Sequence, residues 1–425
     1  MQVFSAERGS KRRLAENILA LYVLQGLNYV VPMAVLPYLV RVLGVDKYGL
    51  MAFAQSFALY FTILTDYGFN FSATRSIAQN RGDSQATSRL FCSVYLIKLM
   101  LMLAGVIILA LALAIIPRFQ HDWRFFLIGY VAVVGNTLFP GWYFQGIEKM
   151  RYISIITGVS RLLAAAALFV FVHRSEDALL ALSIQSMGLL LSGLIGFGVA
   201  VHSFQLELRW PAAAELKATL SDGWHLFLSS AAMGLYTNTN VFLVGILTGN
   251  LEAGYFAVAE KLLRAMQGLI VPIIQATFPH INALRVESRE LALRFINRSV
   301  RWIGGLTFIP SLLLFMFAAP ITLICFGHGA RGSIPVVRWI AFLPVLSALS
   351  NVLGITTMIP FGLDKQFSRI VIIAGLLNVI LAIPLIRISG AEGAGASIFF
   401  TEAFVMSAIV FALQRNGLKV MQRSG

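Results

Sequence analysis

Glu260, Arg264, Gln267, Val271 and Gln275 recur at steps of four, three, four and four. That spacing puts all five on one face of an α-helix. The surrounding run is otherwise apolar, and Pro272 within it predicts a bend. A guanidinium, a carboxylate and two amides on one face are suited to holding an anion and hydrogen-bonding hydroxyl-rich groups. Arg in particular offers a planar fork that matches phosphate or diphosphate oxygens. The same spacing also fits a plain i,i+4 ion pair between Glu260 and Arg264 that does no more than hold the helix. Arg161 is a second cation in an apolar run, ten residues past Arg151, or ~15 Å along a helix. Its two readings are a cavity role and a tie to backbone carbonyls.

Other polar groups in apolar runs suggest further roles. Asp66 and Lys98 each lie nine residues from a loop-proximal arginine, Arg75 and Arg89. They are expected at one depth on adjacent helices, as a gating or structural pair. Asn378, Thr401 and Glu402 bring an amide, a hydroxyl and a carboxylate. These suit a coupling cation, H+ or Na+, or a satisfied structural glutamate. Gln25, Asn28 and Pro32 stripe one run, and another carries Thr237, Asn238, Thr239 and Asn240 in a row. Their amides can hydrogen-bond a polar ligand or join helices. Tyr29, Trp142 and Tyr143 are expected in an interfacial aromatic belt rather than stacked on a ligand. The chain has six histidines and two cysteines, Cys92 and Cys325, with no CxxC or HExxH spacing. No metal site, disulfide framework or cofactor is expected.

These groups must be positioned by helices in lipid. Of 425 residues, 58% are hydrophobic and 12% charged, with mean hydropathy +0.80. A soluble fold cannot hide that much apolar surface. This excludes a cytosolic enzyme, a secreted domain and a disordered scaffold. Runs of about 20 apolar residues, the length of a membrane-crossing helix, occur at 17–41, 48–74, 90–116, 122–145, 150–173, 178–203, 223–247, 253–280, 299–326, 334–360, 367–387 and 391–414. The first, preceded by Arg8, Lys11, Arg12 and Arg13, is too long for a signal-peptide core and is expected to be retained. The net charge of +14 reads as topology rather than nucleic-acid binding. With a cytoplasmic N-terminus, the inside segments carry 21 Lys and Arg and the outside segments 8. Both termini are then cytoplasmic.

The longest polar stretch, 204–222, divides the chain. It predicts an N-terminal six-helix bundle over 1–203, a cytoplasmic linker over 204–222 and a C-terminal six-helix bundle over 223–425. A weak repeat relates the halves. At an offset of 205, Gly44, Gly49, Ala52, Ala54 and Arg89 align with Gly249, Gly254, Ala257, Ala259 and Arg294. Gly146-Ile147-Glu148-Lys149 has its counterpart in Gly362-Leu363-Asp364-Lys365. Transporters with parallel repeats of this kind hold substrate between the halves and alternate its access.

The stretch 27–78, LNYVVPMAVLPYLVRVLGVDKYGLMAFAQSFALYFTILTDYGFNFSATRSIA, resembles the start of the bacterial polysaccharide-repeat-unit flippases, the O-antigen transporter (Wzx-type) family. WYFQGIEKMRYISI (142–155) resembles their second signature, and LLNVILAIPLI (376–386) their eleventh span. The resemblance covers the whole chain. It implies the multidrug/oligosaccharidyl-lipid/polysaccharide transporter fold: all-α, integral to the membrane, with twelve transmembrane helices in two six-helix bundles around a V-shaped central cavity. It further implies a multi-pass protein of the bacterial inner membrane. The implied cargo is an undecaprenyl-diphosphate-linked oligosaccharide, moved from the cytoplasmic to the periplasmic face by alternating access coupled to an ion gradient. Polymerase and chain-length proteins of the same pathway are the expected partners, with the bilayer and the lipid-linked cargo. On this reading Arg264, Arg161, Glu260, Gln267, Gln275, Gln25, Asn28 and Asn240 line the substrate cavity. Two alternatives remain: a cation-coupled multidrug exporter of the same superfamily, or a membrane-embedded polysaccharide polymerase or transferase. The exporter favours acidic cavity residues, whereas charges within the spans lean basic. The enzyme calls for a long outer loop or a catalytic constellation, and neither is legible.

Overall fold

In a computed structural model, the described residues are 26 and 31–418, with backbone alone described at 233, 235–237, 269, 271, 272, 275, 276 and 279. They are helical almost throughout, and no strand occurs among them. Helix α1 covers Val31–Leu43. It is followed by α2 (Val45–Asp66), α3 (Ser72–Gln79), α4 (Ser84–Ile115), α5 (Pro117–His121), α6 (Trp123–Leu138), α7 (Gly141–Gly146), α8 (Met150–Phe171) and α9 (Ala178–Ser203). Then come α10 (Ala213–Thr248), α11 (Asn250–Glu287), α12 (Arg289–Met316), α13 (Ala318–Phe326), α14 (Ser333–Ile340), α15 (Leu343–Leu353) and α16 (Asp364–Arg415).

Eight helices among the described residues are long and apolar enough to cross a membrane. Over the described residues, each of the twelve expected spans falls on helix, the first of them through α1 alone. α16 holds two of them, divided where Ser389 and Gly390 leave helical geometry. Large apolar side chains such as Ile115, Leu163, Ile324 and Phe411 stand exposed along these helices. In water that would be costly; facing acyl chains it is not. The chain is a multi-pass membrane protein.

Several boundaries differ from the hydropathy windows, for local reasons. The second window ran to 74, but α2 stops at Asp66, where Tyr67 and Gly68 take positive φ. The fourth is split because Phe139 precedes Pro140 and adopts an extended ψ, as a residue before proline must. The ninth is split at Phe317, between α12 and α13. The tenth ends in a π-helical turn at Gly354–Met358, where the Thr356 and Thr357 hydroxyls both donate to the Val352 carbonyl. Of the polar stretch 204–222, residues 213–222 are already the first turns of α10.

The chain forms two compact units: residues up to 43 with 53–235, and 44–52 with 236 onward. The first is built around an aromatic core that includes Phe69, Phe91, Tyr95, Trp142, Tyr143 and Phe144. Trp142 and Tyr143 are therefore core residues, not members of an interfacial belt. The second unit packs α11, α12, α15 and α16 around Ile281, Ile296, Ile303, Val352, Ala374 and Ile409. Within it, the start of α2 lies against the start of α11. A Cβ on Gly49 would overlap Asn250 O and the Gly254 backbone, and one on Gly254 would overlap Val45 O. Two of the glycines paired by the repeat thus meet directly.

Candidate functional site

The second unit contains a cavity of about 150 Å³. α11 contributes Phe256, Glu260, Leu263, Arg264 and Gln267 to its wall, and α10 contributes Asn240. Ile340 and Leu343 close one side, while Asn378, Ile398 and Glu402 come from the two arms of α16. The steps of four and three along α11 are what bring Glu260, Arg264 and Gln267 to one wall.

The polar groups form two linked sets. In the first, Arg264 donates from Nη2 and Nε to Glu260 Oε1, at 2.7 and 3.2 Å, and from Nη2 to Asn238 Oδ1 at 2.9 Å. The Arg264 side chain is 45% exposed and that of Glu260 15%. The i,i+4 pair and the exposed guanidinium are therefore both present. Gln267 Nε2 donates to Ser347 Oγ at 3.0 Å, and Ser347 returns its hydrogen to Leu343 O.

In the second set, Asn240 Nδ2 donates to Asn378 Oδ1 (3.3 Å), and Asn378 Nδ2 to Thr401 Oγ1 (3.3 Å). Thr401 in turn donates to Ser397 O (2.7 Å). This relay joins α10 to both arms of α16 and is buried. At its end, Asn240 Oδ1 is buried and has no hydrogen-bond partner among the described residues. An unsatisfied buried acceptor costs about 1–3 kcal/mol, so this atom calls for a donor or a cation. Glu402 lines the same cavity. Glu260, Arg264, Gln267 and Asn240, expected for substrate, thus share one chamber with Asn378 and Glu402, expected for a coupling ion. Its lining carries one arginine and two glutamates.

The remaining expected site residues lie elsewhere. Arg161 is on α8 of the first unit, partly buried. Also in that unit, Lys98 Nζ lies 3.2 Å from Asp66 Oδ1. Lys98 is buried there, with its side chain 2% exposed against 34% for Asp66. Gln25, Asn28 and Tyr29 fall outside the described residues, as does the side chain of Gln275. Two features carried no signal in the sequence. Ser347 meets Gln267 only because α15 packs on α11. Glu252 Oε2 accepts the Ala391 N–H at 2.7 Å, so the first turn of α11 caps the second arm of α16. Trp339 Nε1 adds a bond to Glu392 Oε1 at 3.0 Å beside it.

Comparison with known proteins agrees with this architecture. Residues 14–284 match the family model described as "Polysaccharide biosynthesis protein". A protein of Escherichia coli named "Putative O-antigen transporter" is 33% identical over 97% of this chain and 99% of its own length. One of Shigella dysenteriae with the same name is 30% identical over 92% of this chain and 98% of its own. Among solved structures, an inward-facing multidrug resistance MATE family transporter of the MOP superfamily superposes with TM-score 0.69 at 15% identity, covering 96% of this chain and 100% of that one. Lipid II flippase MurJ in an inward closed conformation gives TM-score 0.66 at 12% identity, over 87% and 85%. At those identities the structures establish the fold alone. The family rests on the sequence matches, which span most of the chain: this protein belongs to the polysaccharide biosynthesis protein family of membrane proteins.

Proposed function

We propose that the chain is a flippase that moves an undecaprenyl-diphosphate-linked oligosaccharide, an O-antigen or related surface repeat unit, from the cytoplasmic to the periplasmic face of the bacterial inner membrane. The observation that carries this reading is the end-to-end similarity to a protein named for O-antigen transport. The cavity chemistry supports it. A diphosphate and its sugars cannot enter hydrocarbon without hydrogen-bonding and cationic partners. Arg264, Gln267 and the amide of Asn240 offer such partners on a wall that also has apolar members. The prenyl tail stays in lipid throughout.

The excess of carboxylates suggests how an ion gradient is coupled to this cargo. With both glutamates ionised the lining has net charge −1, which opposes a dianionic head. A proton or Na+ taken up at Glu402, beside Asn378, Thr401 and the unpartnered Asn240 oxygen, brings that charge to zero. Each ligand then raises the affinity for the other, as linkage requires. The same carboxylates are the observation that favours the runner-up, an exporter of organic cations.

The two readings part in cells lacking the gene. Loss of a flippase leaves the lipid-linked oligosaccharide on the cytoplasmic face, and restoring the gene returns it to the periplasmic face. A cell whose lipid-linked oligosaccharide crosses normally, but which gains sensitivity to cationic drugs, contains an exporter.

A further inference from the structure

α12 carries two stripes of opposite character. Ala292, Ile296, Ser299, Ile303, Thr307, Ser311 and Leu314 are buried in the second unit. On the other side, Arg294, Arg298, Arg301, Gly305, Ile309, Leu312 and Met316 recur at steps of four, three, four, four, three and four, and all are exposed. The last part of this outer stripe is a lipid-facing surface, since Ile309 and Met316 stand 63% and 62% exposed in a membrane-spanning helix. From Arg301 to Met316 it runs ~22 Å, and the three arginines cover a further ~10 Å. Trp302, 70% exposed, marks the junction; indole rings favour the headgroup level.

The arginine section is therefore the headgroup-level continuation of a face already turned to acyl chains. Neighbouring arginines are used differently. Arg285 lies over the Phe361 ring, and Arg289 donates to Gly417 O. Arg294 pairs among the described residues with Glu290 alone, at 3.7 Å with both side chains more than three-quarters exposed, a loose and screened pair. Arg301 bonds the Asn297 carbonyl of its own helix. Arg298 makes no ion pair or hydrogen bond among the described residues.

We propose that Arg294, Arg298 and Arg301 form a binding surface for the phosphate head groups of anionic phospholipids in the leaflet next to the α11–α12 turn. This goes beyond the flippase reading and needs only the membrane embedding of α12. Three cations on one exposed face, directly above an apolar face, match a lipid's phosphate above its acyl chains. The surface lies on the opposite side of α12 from the buried stripe.

The test uses the purified full-length protein in a neutral detergent. It is titrated separately with phosphatidylglycerol, phosphatidylcholine and undecaprenyl diphosphate, and native mass spectrometry counts the bound lipid. The wild type is expected to favour phosphatidylglycerol over phosphatidylcholine, less so as salt rises. Combining Arg294→Gln, Arg298→Gln and Arg301→Gln should weaken phosphatidylglycerol binding by about fivefold per arginine, on the order of 100-fold in all. Phosphatidylcholine and undecaprenyl diphosphate binding should be unchanged. The matching triple Lys variant should keep the preference. Arg298→Gln alone, which removes no hydrogen bond or ion pair among the described residues, should show the single fivefold step if the triple variant fails to fold. Unchanged phosphatidylglycerol binding in the Gln variants overturns the proposal. So does the absence of any preference in the wild type. A loss confined to undecaprenyl diphosphate would mean that the face serves the cargo and not the surrounding lipid.

Discussion

Arg264 is where the cargo reading and the structural one compete most closely. Its bonds to Glu260 and Asn238 fix its geometry, while its exposure leaves it able to meet a ligand in the cavity. If it meets the diphosphate, Arg264→Lys keeps charge but loses the planar fork, and transport per molecule falls partially. Arg264→Ala should abolish transport while the protein still reaches the membrane, and Arg264→Glu should do no better. Transport normalised to protein in the membrane is the measurement. If Ala lowers abundance alone, Arg264 is only half of a helix-holding pair.

The Asp66–Lys98 pair gives an asymmetric expectation. Asp66→Asn leaves a buried lysine without its counter-charge, whereas Lys98→Met leaves a carboxylate that is one-third exposed. The first should cost up to about 3 kcal/mol, the low end for breaking a buried pair, and the second less. The double variant should recover part of the loss, as read by thermal unfolding in detergent. A double variant no better than Asp66→Asn would show that the two are not coupled. These residues were legible in the sequence because a charge inside an apolar run is conspicuous and the helical period assigns its face. Ser347 was not, because an ordinary serine in an apolar run becomes a partner for Gln267 only through the packing of α15.

At the scale of elements, the cavity depends on helices held at their ends. The carboxylate of Glu252 caps the arm of α16 that carries Glu402, and Gly390 reaches it at φ +56°. Any Cβ at Gly390 would strike that carboxylate. Glu252→Ala should therefore cost about 1 kcal/mol, the usual cost of losing a helix cap. Gly390→Ala should cost more, since it adds backbone strain to steric overlap. Thermal midpoints in detergent, ordered wild type above Glu252→Ala above Gly390→Ala, are the expected result. Existence and order of the helices followed from hydropathy, because ~20 apolar residues have few alternatives in lipid. The break at Phe317 had a local cue in Pro320, in the first turn of α13, which cannot donate to the Met316 carbonyl; the π turn was hidden, because it depends on tertiary context.

For the whole molecule, the charge bias of the loops and the repeat predict two parallel halves with both termini in the cytoplasm. Val286 and Leu251 stand exposed at opposite ends of α11, with Val286 90% accessible. A cysteine at 286 should react with an impermeant thiol reagent from the cytoplasmic side only, and one at 251 from the periplasmic side only. Reaction of 251 from inside would reverse the assigned topology.

On the proposed function, this chain itself carries an anionic lipid-linked sugar across a bilayer. The most direct test is the purified protein in vesicles that hold an undecaprenyl-diphosphate oligosaccharide in one leaflet, with a membrane-impermeant glycosidase reporting the fraction exposed outside. Wild-type protein under an imposed cation gradient should expose the inner-leaflet pool, and Arg264→Ala protein present in equal amount should leave it protected. Protection of that pool in wild-type vesicles under both H+ and Na+ gradients, in protein shown to be folded and inserted, would contradict the account.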